Sequence, residues 1–430
     1  MTAPQITTGR LGTGHFRAGD RVAVIGGGIT GVTAAYALLR HGLRPTLYER
    51  HPYAAMETSF ANGGQLSASN AEVWNRLATV AKGAKWMVTP GAPLLVRPAP
   101  SWHKASWMAE FLKAIPGYED ATVHTVRLAL EARGHLLRMA EEEGIDFDLE
   151  RRGILHFYKT QKALDDAARV TKLLAKGGLV RNAVTPDEIA TLEPALSGDL
   201  VGGFYTESDF TGDIHKFSTG LAAACARHGA EMRMGTEVVS LKAQGGGVTV
   251  KSRPTGEDDE PEAVHYDAVV ICGGVASRRF ASMLGDRMNV YPVKGYSITV
   301  NMHTEADRAA APWVSLLDDD AKVVTSRLGA DRYRVAGTAE IAGENRDIRA
   351  ERIAPLVTWV RKHHPGLSTE DVRPWAGLRP MMPDMLPRVE AGKMPGVFYN
   401  TGHGHLGWTL SAATAEMVAG LVMQRMEVAA

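Results

Sequence analysis

The segment 21–50 constrains the fold of this chain more than any other part of the sequence. Residues 22–25 form a short apolar run typical of a buried parallel strand, and Gly26, Gly28 and Gly31 follow at the spacing G-x-G-x-x-G. Gly26 permits a tight turn, Gly28 lets the backbone approach a pyrophosphate, and Gly31 lets the next helix pack close to the strand. The pattern therefore predicts a strand, a turn and a helix whose N-terminus binds the phosphates of a dinucleotide.

The second strand of this unit is expected to end at an acidic residue. Gly42 is the predicted stop of the helix, residues 46–48 form the next strand, and Glu49 follows directly. A carboxylate at this place accepts hydrogen bonds from an adenosine ribose and repels a 2′-phosphate. The segment therefore favours FAD or NAD over NADP. The alternative is a glycine-bearing turn in some other protein with a parallel sheet.

Charge and cysteine content argue against several classes of protein. Lys plus Arg and Asp plus Glu each number 48 among the 430 residues, so the net charge gives no bias toward nucleic acid. The two cysteines, Cys225 and Cys272, lie in apolar stretches, which fits a reducing compartment better than a disulfide framework. The 15 histidines form no metal-ligand pattern, so we predict no metal site.

The sequence also bears on the location of the protein. Residues 1–20 lack the apolar stretch of a secretory signal. No run of about 18 apolar residues occurs, which is the length that a membrane-spanning helix needs. We therefore expect a cytoplasmic protein.

Beyond the glycine turn, the chain alternates between two kinds of pattern. Residues 266–272 read as a second buried strand that ends in Gly273 and Gly274. In contrast, residues 289–300 predict a long strand, and alternating runs at 322–328 and 332–340 predict an antiparallel hairpin. Charged helices are expected at 121–145 and 161–177, and a capping box at 185–188 begins another helix. A parallel, nucleotide-binding part is thus interrupted by an antiparallel part.

A second glycine-rich turn lies near the C-terminus. Residues 397–400 predict a short strand, TGHGHLGW follows at 401–408, and a helix is expected from about 409 to 423. Such a turn brings backbone N–H groups and a helix N-terminus against a flat, electron-rich ligand. If that ligand is a flavin, the helix dipole stabilises negative charge on the reduced ring. A glycine-rich loop without a ligand is the alternative.

The ordered motifs resemble those of the bacterial D-amino-acid dehydrogenases, which belong to the D-amino-acid oxidase superfamily of FAD enzymes. The resemblance runs from about residue 21 to about 425 and rests on GGGITG, ER at 49–50, ETSFANGGQLS at 57–67, CGG at 272–274, YPVKGYS at 291–297, GLRPMMPD at 377–384 and TGHGHLGW.

The resemblance implies an α/β fold, α+β overall, with two domains. The first is a discontinuous FAD-binding domain of the glutathione-reductase type, a Rossmann-like unit, over 1–88, 206–285 and 371–430. The second is a substrate-binding domain on a mixed or antiparallel sheet, over 89–205 and 286–370.

By the same resemblance, FAD would be held without a covalent bond. Glu49 and Arg50 would hold the adenosine, and Val238 would meet the adenine through its backbone. The remaining candidates would lie along the pyrophosphate and the flavin ring; they are Gly26, Gly28, Ile29, Thr30, Gly31, Thr58, Ser59, Gly63, Gly64, Gln65, Gly273, Gly274, Gly402, Gly404 and Gly407.

Arg379 is the predicted substrate residue. A guanidinium grips a carboxylate through two parallel hydrogen bonds, and the resemblance places an amino-acid carboxylate there. A domain-bridging salt bridge is the alternative for this arginine. Tyr296 and His405 are further candidates for the substrate pocket, although an aromatic residue on an alternating strand is as often part of the core. Lys294 is expected either near the flavin or as a solvated lysine on an edge strand.

The resemblance implies hydride transfer from the α-carbon of a D-amino acid to flavin N5, followed by hydrolysis to a 2-oxo acid and ammonia. Little acid or base is needed, because the lone pair of a neutral amine assists hydride departure and the protein orients the reactants. Two alternatives share the fold: an oxygen-using amine, glycine or sarcosine-type oxidase, and a D-proline or hydroxyproline dehydrogenase. A third is a flavin protein that only transfers electrons, and an NAD-dependent hydroxyacid dehydrogenase is less favoured.

Departures from related families narrow the chemistry. Sarcosine oxidases attach flavin through a cysteine and place a lysine in the C-terminal glycine loop. Here Leu406 stands at that loop position and no cysteine follows Cys272, so a cysteinyl flavin is excluded. The D-amino-acid dehydrogenases also carry a C-terminal tail past the last helix, whereas this sequence ends at Ala430, so no role of that tail is expected here.

The segment 74–113 bears on the electron acceptor, for which a quinone or another acceptor is expected. It holds four of the eight tryptophans and six cations against the single acid Glu110; these are Trp74, Trp86, Trp102, Trp107, Arg76, Lys82, Lys85, Arg97, Lys104 and Lys113. Aromatic residues beside cations suit a bilayer interface, so peripheral contact with the inner face of the cell membrane is one interpretation. A basic excursion with buried tryptophans is the other.

Overall fold

The computed structural model describes residues 19–86, 92–97 and 100–424. The β-strands in that part of the chain are β1 (Arg21–Ile25), β2 (Arg44–Tyr48), β3 (Gln65–Leu66), β4 (Leu94–Val96), β5 (Ile154–Tyr158), β6 (Asn182–Val184), β7 (Gly202–Thr206), β8 (Phe210–Thr211), β9 (Glu231–Arg233), β10 (Thr236–Gln244), β11 (Gly247–Pro254), β12 (Glu262–Tyr266), β13 (Ala268–Ile271), β14 (Tyr291–Asn301), β15 (Ser315–Asp318), β16 (Val323–Leu328), β17 (Arg332–Ile341), β18 (Val372–Met381), β19 (Arg388–Ala391) and β20 (Val397–Thr401).

The helices connect these strands and cover the sheets. They are α1 (Ile29–Arg40), α2 (Leu77–Trp86), α3 (Trp102–Lys113), α4 (Tyr118–Glu143), α5 (Gln161–Lys176), α6 (Pro186–Leu192), α7 (Ile214–Arg227), α8 (Ser277–Met283), α9 (Glu305–Ala310), α10 (Ala350–His363) and α11 (Gly407–Gln424).

The first sheet has six strands in the order β19-β20-β13-β1-β2-β9. β1 lies at its centre, parallel to β13 and β2, and β19 is its only antiparallel member. The glycine motif therefore lies in the predicted strand, turn, helix and strand, and Gly42 has the positive φ of a helix stop, 80°. α1, α4, α7 and α11 pack their apolar residues against one face in a single core cluster. The predicted parallel sheet is confirmed.

A three-stranded antiparallel sheet, β10-β11-β12, covers the other face of the six-stranded sheet. The predicted single strand 266–272 is in fact divided at Asp267, where β12 ends and β13 begins. Asp267 accepts a hydrogen bond from the Arg21 N–H with its Oδ2 (2.8 Å), and its own N–H donates to the Arg21 carbonyl (3.0 Å). These contacts lie at the point where the chain passes from one sheet into the other. The apolar residues of 266–272 give no indication of this division.

The second large sheet has nine strands and is mostly antiparallel. Its order is β18-β14-β17-β16-β15-β5-β7-β6, with β4 parallel to β17 and β15 parallel to β5. The predicted hairpin is confirmed as β16 and β17, and α10 packs on one face of the sheet in a core with Leu356 and Val360. The predicted fold class, a Rossmann-like part joined to a mixed sheet, is thus confirmed.

One predicted domain boundary differs from the strand pairing. The prediction assigned 371–430 to the FAD-binding part, but β18 pairs with β14 along ten residue pairs and so belongs to the nine-stranded sheet. Two predicted elements also begin at other residues: the strand placed from 289 begins at Tyr291, and the helix placed from 409 begins at Gly407. The sequence patterns predicted neither the strand 372–381 nor its pairing with β14.

Cys225 and Cys272 are both buried free thiols, and burial raises the pKa of each. Within the described residues, no group of three or more His, Cys, Asp and Glu side chains could hold a metal ion. No described helix has the length and apolar character needed to cross a membrane.

A buried histidine of the nine-stranded sheet makes stability depend on pH. His364 is buried between the Ala195 carbonyl (2.8 Å from Nδ1) and the Tyr333 hydroxyl (3.2 Å from Nε2), and burial lowers its pKa to about 4. The unfolded chain takes up this proton near pH 6.5. Between pH 6.5 and about 4 the unfolded state therefore binds more protons, so stability falls with falling pH.

We expect His364→Gln to weaken this acid sensitivity by up to ~1.4 kcal/mol per pH unit below pH 6.5. The measurement is the denaturant dependence of unfolding at pH 7 and pH 5 for the wild type and the variant. The exposed His303 provides a matched control, since His303→Gln is expected to keep the wild-type slope. Equal slopes for all three proteins would show that His364 does not cause the effect.

Candidate active site

A cavity of about 1460 Å³ lies where the six-stranded and nine-stranded sheets meet. Its walls include the turns that follow β1, β2, β13 and β20, all at the carboxyl ends of parallel strands. Open α/β sheets bind their ligands at this edge. The opposite wall comes from the nine-stranded sheet, with Val324, Ala336 and Arg379 among its residues.

The first glycine turn leaves no room for side chains at Gly26 and Gly31. Gly26 has φ 109°, and a Cβ there would lie 2.7 Å from the Cys272 carbonyl oxygen. A Cβ on Gly31 would lie 1.8 Å from the Gly26 carbonyl oxygen, so α1 crosses β1 at backbone contact. Gly28 faces the Ser59 hydroxyl, which accepts a hydrogen bond from the Ile29 N–H (3.0 Å). Gly26, Gly28, Ile29 and Thr30 line the cavity at the start of the helix.

Glu49 is held in place at the end of β2. Its Oε2 accepts from the Gly27 N–H (2.7 Å) and its Oε1 from the His51 N–H (2.9 Å). Next to it, Arg50 forms an ion pair with Glu57, whose carboxylate also contacts His51 and Arg346. These cations and the His51 hydrogen bond lower the pKa of Glu57. Glu49 and Arg50 both line the cavity.

The loop 57–67 joins the two sheets along the cavity. Thr58 donates to the Leu378 carbonyl (3.0 Å), and the Gln65 amide donates to the Ser315 hydroxyl (2.8 Å). Gly63 and Gly64 lie against Val324 and Ser326 of β16, where a Cβ would come within 2.6 Å and 2.9 Å of those side chains. The paired glycines therefore let the loop pass directly over the nine-stranded sheet.

The carbonyl of Val238, the predicted adenine contact, already accepts one hydrogen bond within the protein. Val238 lies on β10 just before a β-bulge, and its carbonyl accepts from the Arg279 guanidinium (3.1 Å). Gly273 and Gly274 begin the turn after β13, where Gly274 has φ 55°. All three residues line the cavity.

The C-terminal glycine turn forms another part of the wall. Gly402 (φ 77°) and Gly404 (φ 59°) have left-handed backbone conformations that glycine adopts at little cost. Gly407 begins α11 and also lines the cavity. His405 stacks on Trp74 with ring centroids 4.8 Å apart. Burial lowers the pKa of His403 to about 3 and that of His405 to about 4, with a further contribution from the Arg379 charge at His405.

Buried polar atoms without partners occur at several points of this wall. Among the described residues, Gln65 Oε1, His403 Nδ1 and Trp408 Nε1 have no hydrogen-bond partner, although each residue lines the cavity. Buried polar groups are nearly always hydrogen-bonded, so these atoms call for a polar ligand. Together with the glycine turns, which bring the backbone to the cavity wall, they fit a flavin nucleotide.

Arg379 faces the cavity from β18 and is half-buried. Its Nη1 donates to the Thr338 carbonyl (3.3 Å), and no carboxylate of the described residues lies within ion-pair distance. Burial lowers its pKa to about 10, so the guanidinium stays charged at neutral pH. Among the described residues, Arg379 therefore forms no domain-bridging salt bridge, and that alternative interpretation is wrong for them. A half-buried cation without an ion-pair partner is a suitable partner for an anionic ligand.

A glycine makes room for this guanidinium. Gly295 lies on β14 opposite Gly377, and a Cβ on it would come within 2.3 Å of Arg379 Cζ. Sequence reasoning missed Gly295 because only the pairing of β14 with β18 brings it next to Arg379.

We expect Gly295→Ala to raise KM for a carboxylate substrate about 30-fold by displacing the guanidinium, the equivalent of ~2 kcal/mol. The backbone of Gly295 has no positive φ, so alanine should be tolerated locally. The measurement is steady-state kinetics with the thermal midpoint as a check on folding. Gly83→Ala is the control, since a Cβ there meets only Leu94 at 3.6 Å. An unchanged KM in Gly295→Ala would mean that Arg379 does not need this space.

Tyr296 and Lys294 are both buried. The Tyr296 hydroxyl donates to Glu340 Oε2 (2.7 Å), and its ring packs in the core, although the residue also borders the cavity. Lys294 is 0% exposed, and its Nζ donates to Asn345 Oδ1 (2.6 Å) and the Asp347 carbonyl (3.1 Å). The edge-strand expectation for Lys294 is wrong, because β14 lies between β17 and β18. Lys294 is not among the residues that line the cavity.

The tryptophans of segment 74–113 do not form one exposed face. Trp107 is buried and donates to the Met381 carbonyl (2.9 Å), and Trp74 is half-buried against His405. Trp102 is 86% exposed, and the side chain of Trp86 lies outside the described part. Arg97 pairs with the buried Glu340. The membrane interpretation is therefore wrong for Trp74 and Trp107, because folding places their rings against the core and the cavity.

The comparisons with known proteins agree with this architecture. The sequence profile of the family described as FAD dependent oxidoreductase matches residues 21–421. D-amino acid dehydrogenase 3 of Mesorhizobium japonicum is 56% identical over 402 residues, which cover 94% of this chain and 97% of that relative. The D-amino acid dehydrogenase of Paramagnetospirillum magneticum is 39% identical over 413 residues, 94% of this chain and 95% of the relative.

Solved structures show the same fold. A glycine oxidase from Geobacillus kaustophilus has a TM-score of 0.74 at 23% identity, over 94% of this chain and 95% of that chain. An L-proline dehydrogenase from P. horikoshii has a TM-score of 0.73 at 16% identity, over 95% and 94% of the two chains. At these identities the likeness concerns the fold alone. The sequence matches span nearly the whole chain: it belongs to the FAD-dependent oxidoreductase family, and FAD is its cofactor.

Proposed function

We propose that this protein is a dehydrogenase of D-amino acids, which it converts to 2-oxo acids and ammonia. The observation that carries the proposal is the unpaired guanidinium of Arg379, which faces the same cavity as the two glycine turns. An amino-acid carboxylate matches a guanidinium in charge and in its two acceptor oxygens. The names of the two dehydrogenase relatives support the same substrate class.

The residues of this cavity serve orientation more than acid–base chemistry. Arg379 holds the substrate carboxylate and so fixes the position of the α-carbon. FAD, when bound, supplies the acceptor for the hydride that leaves this carbon. His403 and His405 stay neutral because of burial, so neither adds a positive charge to this wall at neutral pH. The substrate amine is expected to react as the neutral form.

The preference for the D-isomer rests on the sequence relatives. The fold does not decide the handedness of the substrate, since an L-proline dehydrogenase shares it. The 56% identity to a D-amino acid dehydrogenase is the stronger indication. D-proline or hydroxyproline remains within the proposed class.

We further propose that the electrons pass to a quinone or another acceptor rather than to oxygen. Leu406, which is buried, stands where the resemblance to sarcosine oxidases would require a lysine. The exposed Trp102 on α3 lines the cavity and is the described tryptophan that suits peripheral contact with a membrane. The cytoplasmic side of the cell membrane is the proposed location.

The test is anaerobic absorbance of the purified flavoprotein with a panel of D- and L-amino acids. We expect D-isomers to bleach the flavin, slow recovery in air and fast recovery with a soluble quinone. Bleaching followed by rapid peroxide formation in air would instead identify an oxidase. A flavin that no D-amino acid bleaches would contradict the proposal, and N-methylated and cyclic amines would be tested next. Acid precipitation of the same sample should release FAD, since the cofactor is expected to be held without a covalent bond.

A further inference from the structure

We propose that Thr338 is a second substrate-contact residue, whose hydroxyl hydrogen-bonds the carboxylate that Arg379 binds. The inference rests on the proposed function and names a residue that the sequence motifs did not indicate. Thr338 lies on β17, lines the cavity and is 6% exposed.

The backbone at Thr338 has an unusual conformation. β14 and β17 pair regularly except at one point, where Gly295 faces Ala339 and Tyr296 faces Gly337. Thr338 is the additional residue of this β-bulge, and its φ is 53°. Positive φ is costly for a β-branched residue, and such strain is concentrated at functional sites. Glycine or asparagine would adopt this positive φ at lower cost, so the β-bulge alone does not explain why the residue is a threonine.

The bulge brings Thr338 to Arg379. The Thr338 carbonyl accepts from Arg379 Nη1 at 3.3 Å, so the guanidinium is fixed by the same residue that carries the hydroxyl. Bulges commonly re-aim a side chain next to an active site. Because Gly295 leaves space for the guanidinium on the facing strand, all three residues form one unit at the cavity wall.

The hydroxyl of Thr338 has no partner. Its Oγ1 is buried and makes no hydrogen bond with any described residue. A buried hydroxyl without a partner is destabilising, and in a native structure it needs an explanation. A carboxylate has about four acceptor positions, of which the fork of one guanidinium uses two. A hydroxyl beside that guanidinium can donate to one of the remaining positions.

A second threonine provides a matched control. Thr206, the last residue of β7, is also buried, and its Oγ1 also has no partner among the described residues. Thr206 does not line the cavity. Replacing either threonine by valine removes one unpaired buried hydroxyl, and only the replacement at Thr338 should affect ligand binding.

The experiment measures binding of propionate, a carboxylate without an amine, from the absorbance change of the oxidised holoenzyme. Thr338→Val is expected to raise the dissociation constant about tenfold while the thermal midpoint stays equal or rises. Thr338→Gly, which suits the positive φ, should show the same loss, and Thr338→Ser should recover most of the affinity. Thr206→Val is expected to bind propionate as the wild type does.

Wild-type affinity for propionate in both Thr338→Val and Thr338→Gly would overturn the inference. An equal loss of affinity in Thr206→Val would also overturn it, and so would a wild-type protein that binds no propionate. Flavin reduction by D-amino acids tests the proposed function separately. A wild type that D-amino acids reduce, combined with unchanged propionate binding in the Thr338 variants, would remove Thr338 from the site and leave the function intact.

Discussion

Arg379→Met is expected to lower kcat/KM for D-amino acids by about 10³-fold, which corresponds to ~4 kcal/mol. The guanidinium is the unpaired cation that faces the cavity from β18, and truncating one partner of a buried, hydrogen-bonded charge pair costs about 2–5 kcal/mol. Stability should not fall with activity. Burial disfavours the charge of Arg379 and lowers its pKa to about 10, so methionine is expected to leave the thermal midpoint equal or higher.

The measurement is the rate of anaerobic flavin reduction as a function of substrate concentration. Arg373 provides a matched control on the same strand, because its side chain is exposed and pairs with Asp371. Arg373→Met is expected to change kcat/KM less than twofold, as exposed ion pairs contribute about 0–1 kcal/mol. Arg379→Lys keeps the charge and loses the planar fork, so an intermediate loss is expected. Wild-type kinetics in Arg379→Met would place the substrate elsewhere in the cavity.

The parts of the site that were predictable from sequence are local. The first glycine turn, its helix and Glu49 lie within one short segment, and Gly31 has its place because of the backbone of Gly26, five residues before it. In the C-terminal turn, Gly402 and Gly404 have positive φ, which their residue type favours. In these segments the backbone conformation follows from the residue types, since glycine is the residue that accepts positive φ or backbone contact.

The parts that were not predictable depend on strand pairing. Gly295 serves Arg379 across β14 and β18, and the positive φ of Thr338 results from a bulge against β14. Alternation along one strand does not reveal its partner or its register. The same reason explains Lys294, whose predicted place on an edge was wrong because β18, far along the chain, covers that side of β14.

The tryptophans of segment 74–113 show a different limit of prediction from sequence. Trp74, Trp102 and Trp107 lie in one basic segment of the sequence. Tryptophans near cations occur both on membrane surfaces and in protein cores, so the composition of the segment does not distinguish the two. The structure separates them, because Trp107 finds a carbonyl partner at Met381 and Trp74 finds the ring of His405. Burial of an indole depends on such partners, which a single sequence does not give.

Gly31→Ala is expected to abolish stable FAD binding, with an affinity loss of about 10²-fold or more, ~3 kcal/mol. The added Cβ would lie 1.8 Å from the Gly26 carbonyl oxygen, and that atom belongs to the backbone of the turn. A backbone carbonyl cannot rotate away as a side chain can, so α1 has to move away from β1. Its N-terminus, at Gly28 and Ile29, would then be displaced from the proposed pyrophosphate site, and the overpacked core is expected to cost a further ~1–3 kcal/mol of stability.

The flavin content after gel filtration and the thermal midpoint measure both effects. Gly134→Ala is the matched control, since Gly134 is also a helical glycine and a Cβ on it would meet nothing within 4 Å. That variant should keep its FAD and gain ~0.5–1 kcal/mol of stability, because alanine is the better helix former. If Gly31→Ala retained FAD as firmly as Gly134→Ala, the contact between α1 and β1 would not be what positions the phosphate site.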